Sequence, residues 1–241
     1  MAGNLAVRAM PACSIVCSIC RAPPTKARSS ITEKGAMLST NRAEAFSDGV
    51  FAIAATLLVL ELKVPHVEPG GLSVALLERW PSYATYVVSF LTIGIIWVNH
   101  HAVMERIKNV NRPLLFLNLV FLMAVAAIPF PTALLADYLH AGHDERLASA
   151  IYGATMALMG IAFGLIWAYT VFSDDLLHNT IDPHRARRSL LIFAAGNPLY
   201  LLAIGVSLLS AELGLAIYAL LALFYLFDVL PPLEERGGKQ G

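Results

Sequence analysis

An all-α membrane protein with six spanning helices is the fold class this sequence predicts, and three observations predict it. Hydrophobic residues make up 57% of the 241 residues and charged residues only 14%, whereas a soluble domain carries roughly a quarter charged residues. Six apolar runs, at 46–64, 83–101, 114–135, 147–172, 190–209 and 213–230, each approach the roughly 20 residues that a helix needs to cross ~30 Å of hydrocarbon. No segment between them is long enough for a soluble domain. Basic residues supply the third observation: with the amino terminus inside, every Lys and Arg except Lys63, Arg79 and Arg146 falls on the cytoplasmic side. That asymmetry follows the positive-inside rule and puts both termini in the cytoplasm. The formal net charge of +0 hides it, and no nucleic-acid partner is expected.

The first element, 1–36, contains Pro, Ser and Arg, holds no acid before Glu33 and has no run long enough to span a membrane. It reads as a disordered extension with a weak targeting role at most, and Met37 is the natural first residue of the folded part. Cys13, Cys17 and Cys20 have the C-x3-C-x2-C spacing of iron–sulfur enzymes of the S-adenosylmethionine class. Those enzymes surround the cluster with a large α/β barrel, which nothing downstream supplies. A reducing cytosol implies no disulfide either. Residues 37–232 form the six-helix transmembrane domain and 233–241 a short cytoplasmic tail.

The first span opens with Arg42-Ala43-Glu44-Ala45-Phe46-Ser47-Asp48 and runs without a break into Gly49–Leu60. It therefore brings an arginine and an acid into a membrane helix, where ionisable groups are costly and mark function. At ~100° per residue, Arg42, Phe46, Gly49, Ile53, Leu57 and Leu60 share one line, with Thr56 at its edge. Asp48 lies on another face with Ala52, Ala55 and Val59, and small residues let helices approach closely. Asp48 is therefore expected to pack against a neighbouring helix and to need a partner there. His100 or His101 on the second span and Asn118 on the third lie toward the same end and are the expected partners. Such a network either locks the helices together or takes part in gating.

The second span ends in Trp97-Val98-Asn99-His100-His101. The third carries Asn118 and is expected to end at Pro129 and Pro131. His140-Ala141-Gly142-His143-Asp144-Glu145 in the outer loop reads as a solvated turn rather than a metal site. In the fourth span, Gly160-x-x-x-Gly164 permits close helix contact. Phe172-Ser173-Asp174 repeats a tripeptide of the first span, but Ala168 replaces the arginine and no apolar helix follows. Asn197-Pro198 is expected to interrupt the fifth span. Asp228 ends the sixth, within reach of the interface.

The pattern Arg42-x-x-x-Phe46-Ser47-Asp48 with its following apolar helix resembles the signature of the transmembrane protein 175 family, the lysosomal potassium channel and its bacterial six-helix relatives. The resemblance continues in Trp97-Val98-Asn99-His100-His101, in Leu117-Asn118-Leu119-Val120-Phe121-Leu122 and in Pro129-Phe130-Pro131-Thr132. Beyond the third span only hydropathy and spacing match. It implies a potassium-permeable channel, a homotetramer in bacteria, whose first helices line a central pore.

Taken alone, the stripe Ile53–Leu57–Leu60 is either an ordinary apolar helix face or a ring that gates by excluding water. The resemblance favours the ring, aligning the stripe with the family's apolar constriction and Thr56 with its threonine layer. No Thr-Val-Gly-Tyr-Gly filter occurs in the chain, so a carbonyl cage does not supply selectivity. The sequence shows no nucleophile–base pair, phosphate loop or H-E-x-x-H, and neither an enzyme nor a metal or other cofactor is expected. The expected function is a potassium-permeable cation channel in the lipid bilayer, at the plasma (inner) membrane if bacterial. The alternatives are a secondary or proton-coupled transporter, which typically uses a broken helix at the midplane, and a non-conducting structural protein.

Overall fold

The structure, a computed structural model, describes residues 40–173, 176–178 and 183–227. The tail with Cys13, Cys17 and Cys20, the acids Asp174 and Asp228 and the carboxy-terminal segment lie outside the described residues. Helix α1 spans Thr40–Leu57 and tightens into a 3₁₀ turn, Leu58–Glu61. A short helix α2, Leu72–Glu78, precedes α3, Trp80–Met104. Then come α4, Arg112–Ala127, α5, Pro129–Ala141, α6, Glu145–Phe172, α7, Pro183–Ser207, and α8, Ala211–Phe227. Among the described residues five helical runs are long and apolar enough to cross a membrane, and a further one, Ala211–Leu226, is apolar but shorter. Among the described residues the regular secondary structure is all helical, apart from one isolated bridge.

Of the two expected breaks, the first is present: the helix of the third span ends at Ala127, just before Pro129. Pro129 then opens a new helix, α5, and the apolar run continues from Arg112 to Ala141. Proline suits the first helical turn because the N–H it lacks has no partner there. The seam falls at Ile128, which is itself fully buried, and the Thr132 hydroxyl donates back to the Ile128 carbonyl at 2.8 Å. The second expected break is corrected: Pro198 lies inside α7 without interrupting it. Neighbouring helices can re-satisfy the backbone that a proline frees in a membrane helix.

Of the Gly160–Gly164 pair, only Gly160 serves a close approach: a Cβ there would lie 2.8 Å from Asn197 Oδ1, whereas one on Gly164 would meet nothing within 4 Å. A second close approach has no pair motif to announce it. Gly153 faces the ring and hydroxyl of Tyr218 and leaves no space for a side chain.

The core gathers between α1, α3, α4 and α6, with Leu58, Val103, Phe121, Val125, Ile166 and Trp167 fully buried. At one end of the bundle, the connection after α3 meets the connection after α6. Lys108 N donates to Leu176 O at 2.7 Å and His178 N to Arg106 O at 3.2 Å, which makes the isolated antiparallel bridge between Ile107 and Leu177. Burial pulls the Arg106 guanidinium below its ordinary value while neighbouring Glu105 raises it. Arg187 from the start of α7 places its guanidinium 5.7 Å over the Phe172 ring.

Candidate functional site

Helix α1 has two faces, and its sequence explains both. Ala43, Ser47, Phe51, Ala54 and Leu58 recur at helical spacing and are buried. Opposite them, Phe46, Ile53, Leu57 and Leu60 are exposed, as are Arg42, Gly49 and Thr56. A side chain at Gly49 would meet nothing within 4 Å. The sequence-expected stripe is thus the face that its own subunit leaves uncovered. The expected packing face is displaced, however. Ala52 is exposed, Val59 is 51% exposed, and Asp48 and Ala55 are half-buried. The helix turns its Ser47 side inward, roughly 100° round from Asp48.

Ser47, not Asp48, therefore carries the buried network. Asn118 Nδ2 donates to Ser47 Oγ at 3.0 Å, and Ser47 Oγ donates to the Ala43 carbonyl at 2.8 Å. His100 Nε2 lies 2.9 Å from Asn118 Oδ1. Because the amide nitrogen is spent on Ser47, its oxygen accepts and His100 carries its proton on Nε2. Nδ1 of His100 has no hydrogen-bond partner among the described residues. The ring sits instead among aromatics, stacked on Phe121 at 5.4 Å and 9° and tilted against Phe51 at 5.4 Å. An imidazole with one apolar side and one bonded nitrogen fits such a box. All three polar side chains are buried: Ser47 and His100 are 0% exposed and Asn118 3%.

Asp48 and His101 belong to a second, more exposed network. Trp97 Nε1 donates to Asp48 Oδ1 at 2.8 Å, which corrects the expectation that His100, His101 or Asn118 would receive the acid. His101 Nδ1 lies 2.7 Å from Glu44 Oε1, its Nε2 3.6 Å from Glu105 Oε1, and its ring stacks on Trp97 at 6.2 Å. The geometry follows from spacing. Glu44 and Asp48 on α1, and Trp97 and His101 on α3, are i, i+4 pairs, and each lines up along one side of its helix. His100, one residue before His101, turns about 100° away into the core.

On the outward stripe, the Thr56 hydroxyl is 2.9 Å from both the Ala52 and the Ile53 carbonyls. Its proton is directed at the helix backbone, and its lone pairs are left for whatever lies outside. No group of three or more His, Cys, Asp or Glu that could hold a metal occurs among the described residues.

An uncovered apolar stripe on the first of several spanning helices, backed by buried hydrogen bonds, defines a multi-pass integral membrane protein. Residues 42–129 match the model of the family described as endosomal/lysosomal potassium channel TMEM175. A potassium channel of Streptomyces collinus is 49% identical over 196 residues, which cover 81% of this chain and 95% of the relative. The crystal structure of a lysosomal potassium-selective channel TMEM175 homolog from Chamaesiphon minutus matches with a TM-score of 0.71 and 38% identity, covering 78% of this chain and 96% of that one. The endosomal/lysosomal proton channel TMEM175 of Gallus gallus is 33% identical over 61% of this chain but only 30% of its own length. The chain belongs to the TMEM175 family.

Proposed function

We propose that the chain is the subunit of a potassium-permeable channel in which four copies bring α1 around a common axis. Ile53, Leu57 and Leu60 would form the constriction, with Thr56 beside it. The observation that carries this reading is the uncovered stripe of α1, where Ile53, Leu57 and Leu60 are 61%, 40% and 69% exposed on a helix whose other side is bonded into the subunit. The relatives named as potassium channels support it. A ring of branched side chains excludes water by dewetting and so sets a barrier to hydrated ions. The lone pairs of Thr56 offer an incoming cation an oxygen, and an anion nothing. Both networks at the end of α1 position this face rather than touch the ion.

In this reading the termini are cytoplasmic, residues 1–36 are an extension, 37–232 the channel domain and 233–241 a tail, and the chemistry is permeation without catalysis. Reconstitution into liposomes with a potassium gradient tests it. Single-channel currents carried by potassium are the expected result. Slow saturable uptake would replace it with a carrier, and the absence of flux with a structural protein. A relative named as a proton channel favours a second permeant ion, so the same liposomes loaded with a pH dye report whether protons cross too.

A further inference from the structure

A groove of about 530 Å³ runs between α3 and α8, and no residue of α1 lines it. Its volume falls in the range of ligand sites, roughly 300–1,000 Å³. Second and sixth spans run in the same direction through a membrane, so the first turns of α3 and α8 lie at one end of the groove. Trp80, Tyr83 and Glu212 gather there. Deeper along it, Ala84, Ala216 and Ala219 leave space because they have so little side chain, and Val88 and Leu215 wall it with apolar surface. Glu212 is the one charged residue in the lining. It is exposed, and it forms no salt bridge among the described residues.

We propose that this groove binds a phospholipid whose headgroup ends in a primary ammonium, with an acyl chain along the alanine floor and the ammonium at Glu212. Charge complementarity selects the occupant. An anionic headgroup would meet the carboxylate with like charge, and an apolar ligand would gain nothing from it. A primary ammonium donates hydrogen bonds to a carboxylate, whereas a quaternary one has no N–H to give. Trp80 and Tyr83 add aromatic surface of the kind that settles at the headgroup level and attracts cations over its ring faces. The site does not depend on conduction and stands apart from the channel reading.

Native mass spectrometry of the purified full chain tests this in an equimolar mixture of phosphatidylethanolamine, phosphatidylglycerol and phosphatidylcholine with identical acyl chains. The amine lipid should be retained about tenfold over each of the others, the ratio that ~1.4 kcal/mol of recognition gives. Glu212→Gln keeps the shape and should abolish the preference. Ala216→Leu fills the floor and should remove bound lipid of every kind. Both positions are exposed, so neither variant should lower the melting temperature. Equal retention of the three lipids by the native chain overturns the proposal, as does choline lipid binding as well as amine lipid. An unchanged preference in Glu212→Gln, or unchanged retention in Ala216→Leu, does the same.

Discussion

The two faces of α1 differ in what the single chain explains about them. On the inward face every polar group of Ser47 and Asn118 has a partner inside the subunit, and the apolar residues around them are buried. That face is accounted for by folding alone. The outward face has the same helix geometry and a similar apolar content, yet nothing in the subunit covers it. Composition alone does not separate a packing face from an outward one in a membrane helix, because lipid is as apolar as Leu. What separates them is where the hydrogen-bonding side chains point.

The largest expected change breaks the comparison from the outward side. Under the channel reading, Ile53→Asn repeats one amide around the ring and lets water stay. Lowering the barrier by even ~1.4 kcal/mol raises potassium conductance about tenfold, and discrimination against sodium should fall with it. Thermal stability should stay at the native value because the position is uncovered. Recordings with native conductance and selectivity would return the stripe to an ordinary lipid surface.

On the inward side, His100→Ala removes a ring held between Phe51 and Phe121 and strips Asn118 of a donor. A cost of about 3–5 kcal/mol is expected from the cavity and the lost bond together, measured as a fall in the detergent melting temperature. Asn118→Ala leaves His100 Nε2 and Ser47 without that partner and should cost about 1–3 kcal/mol. The assignment of Ser47 as the inner residue fails if Asp48→Ala destabilises more than Asn118→Ala. Asp48 is half-buried and loses one bond to Trp97, so about 0.5–1.5 kcal/mol is expected. Removing residues 1–36, which precede both faces, should leave melting temperature and oligomeric state unchanged in size-exclusion light scattering.

The sequence made the helices legible because span length and apolar composition are imposed by the bilayer rather than by tertiary detail. The stripe Arg42, Phe46, Ile53 and Leu60 was legible for the same reason: helical spacing needs no partner to be read. The burial of Ser47 was not. A charge costs more to bury than a hydroxyl, which draws attention to Asp48 as the group most in need of shelter. The protein shelters it less, handing it to Trp97 at the margin and reserving the interior for neutral groups. A signal for this does exist in the chain, since Ala43, Ser47, Phe51, Ala54 and Leu58 recur at helical spacing. The end of α4 before Pro129 was legible, but the α5 start at Pro129 was not, because proline both ends and begins helices. Contacts such as Gly153 with Tyr218 and Ile107 with Leu177 join distant segments, and no local pattern encodes them.

The bridge between Ile107 and Leu177 also constrains the order of biogenesis. Its two segments are separated in the chain by two complete membrane crossings, so the loop after α3 is made long before its partner exists. During synthesis the amides of Lys108 and His178 cannot reach their final acceptors until α6 has been inserted and the following connection has emerged. This clasp between the two loops can therefore form only after the fourth crossing has been made, later than any contact among the first three spans.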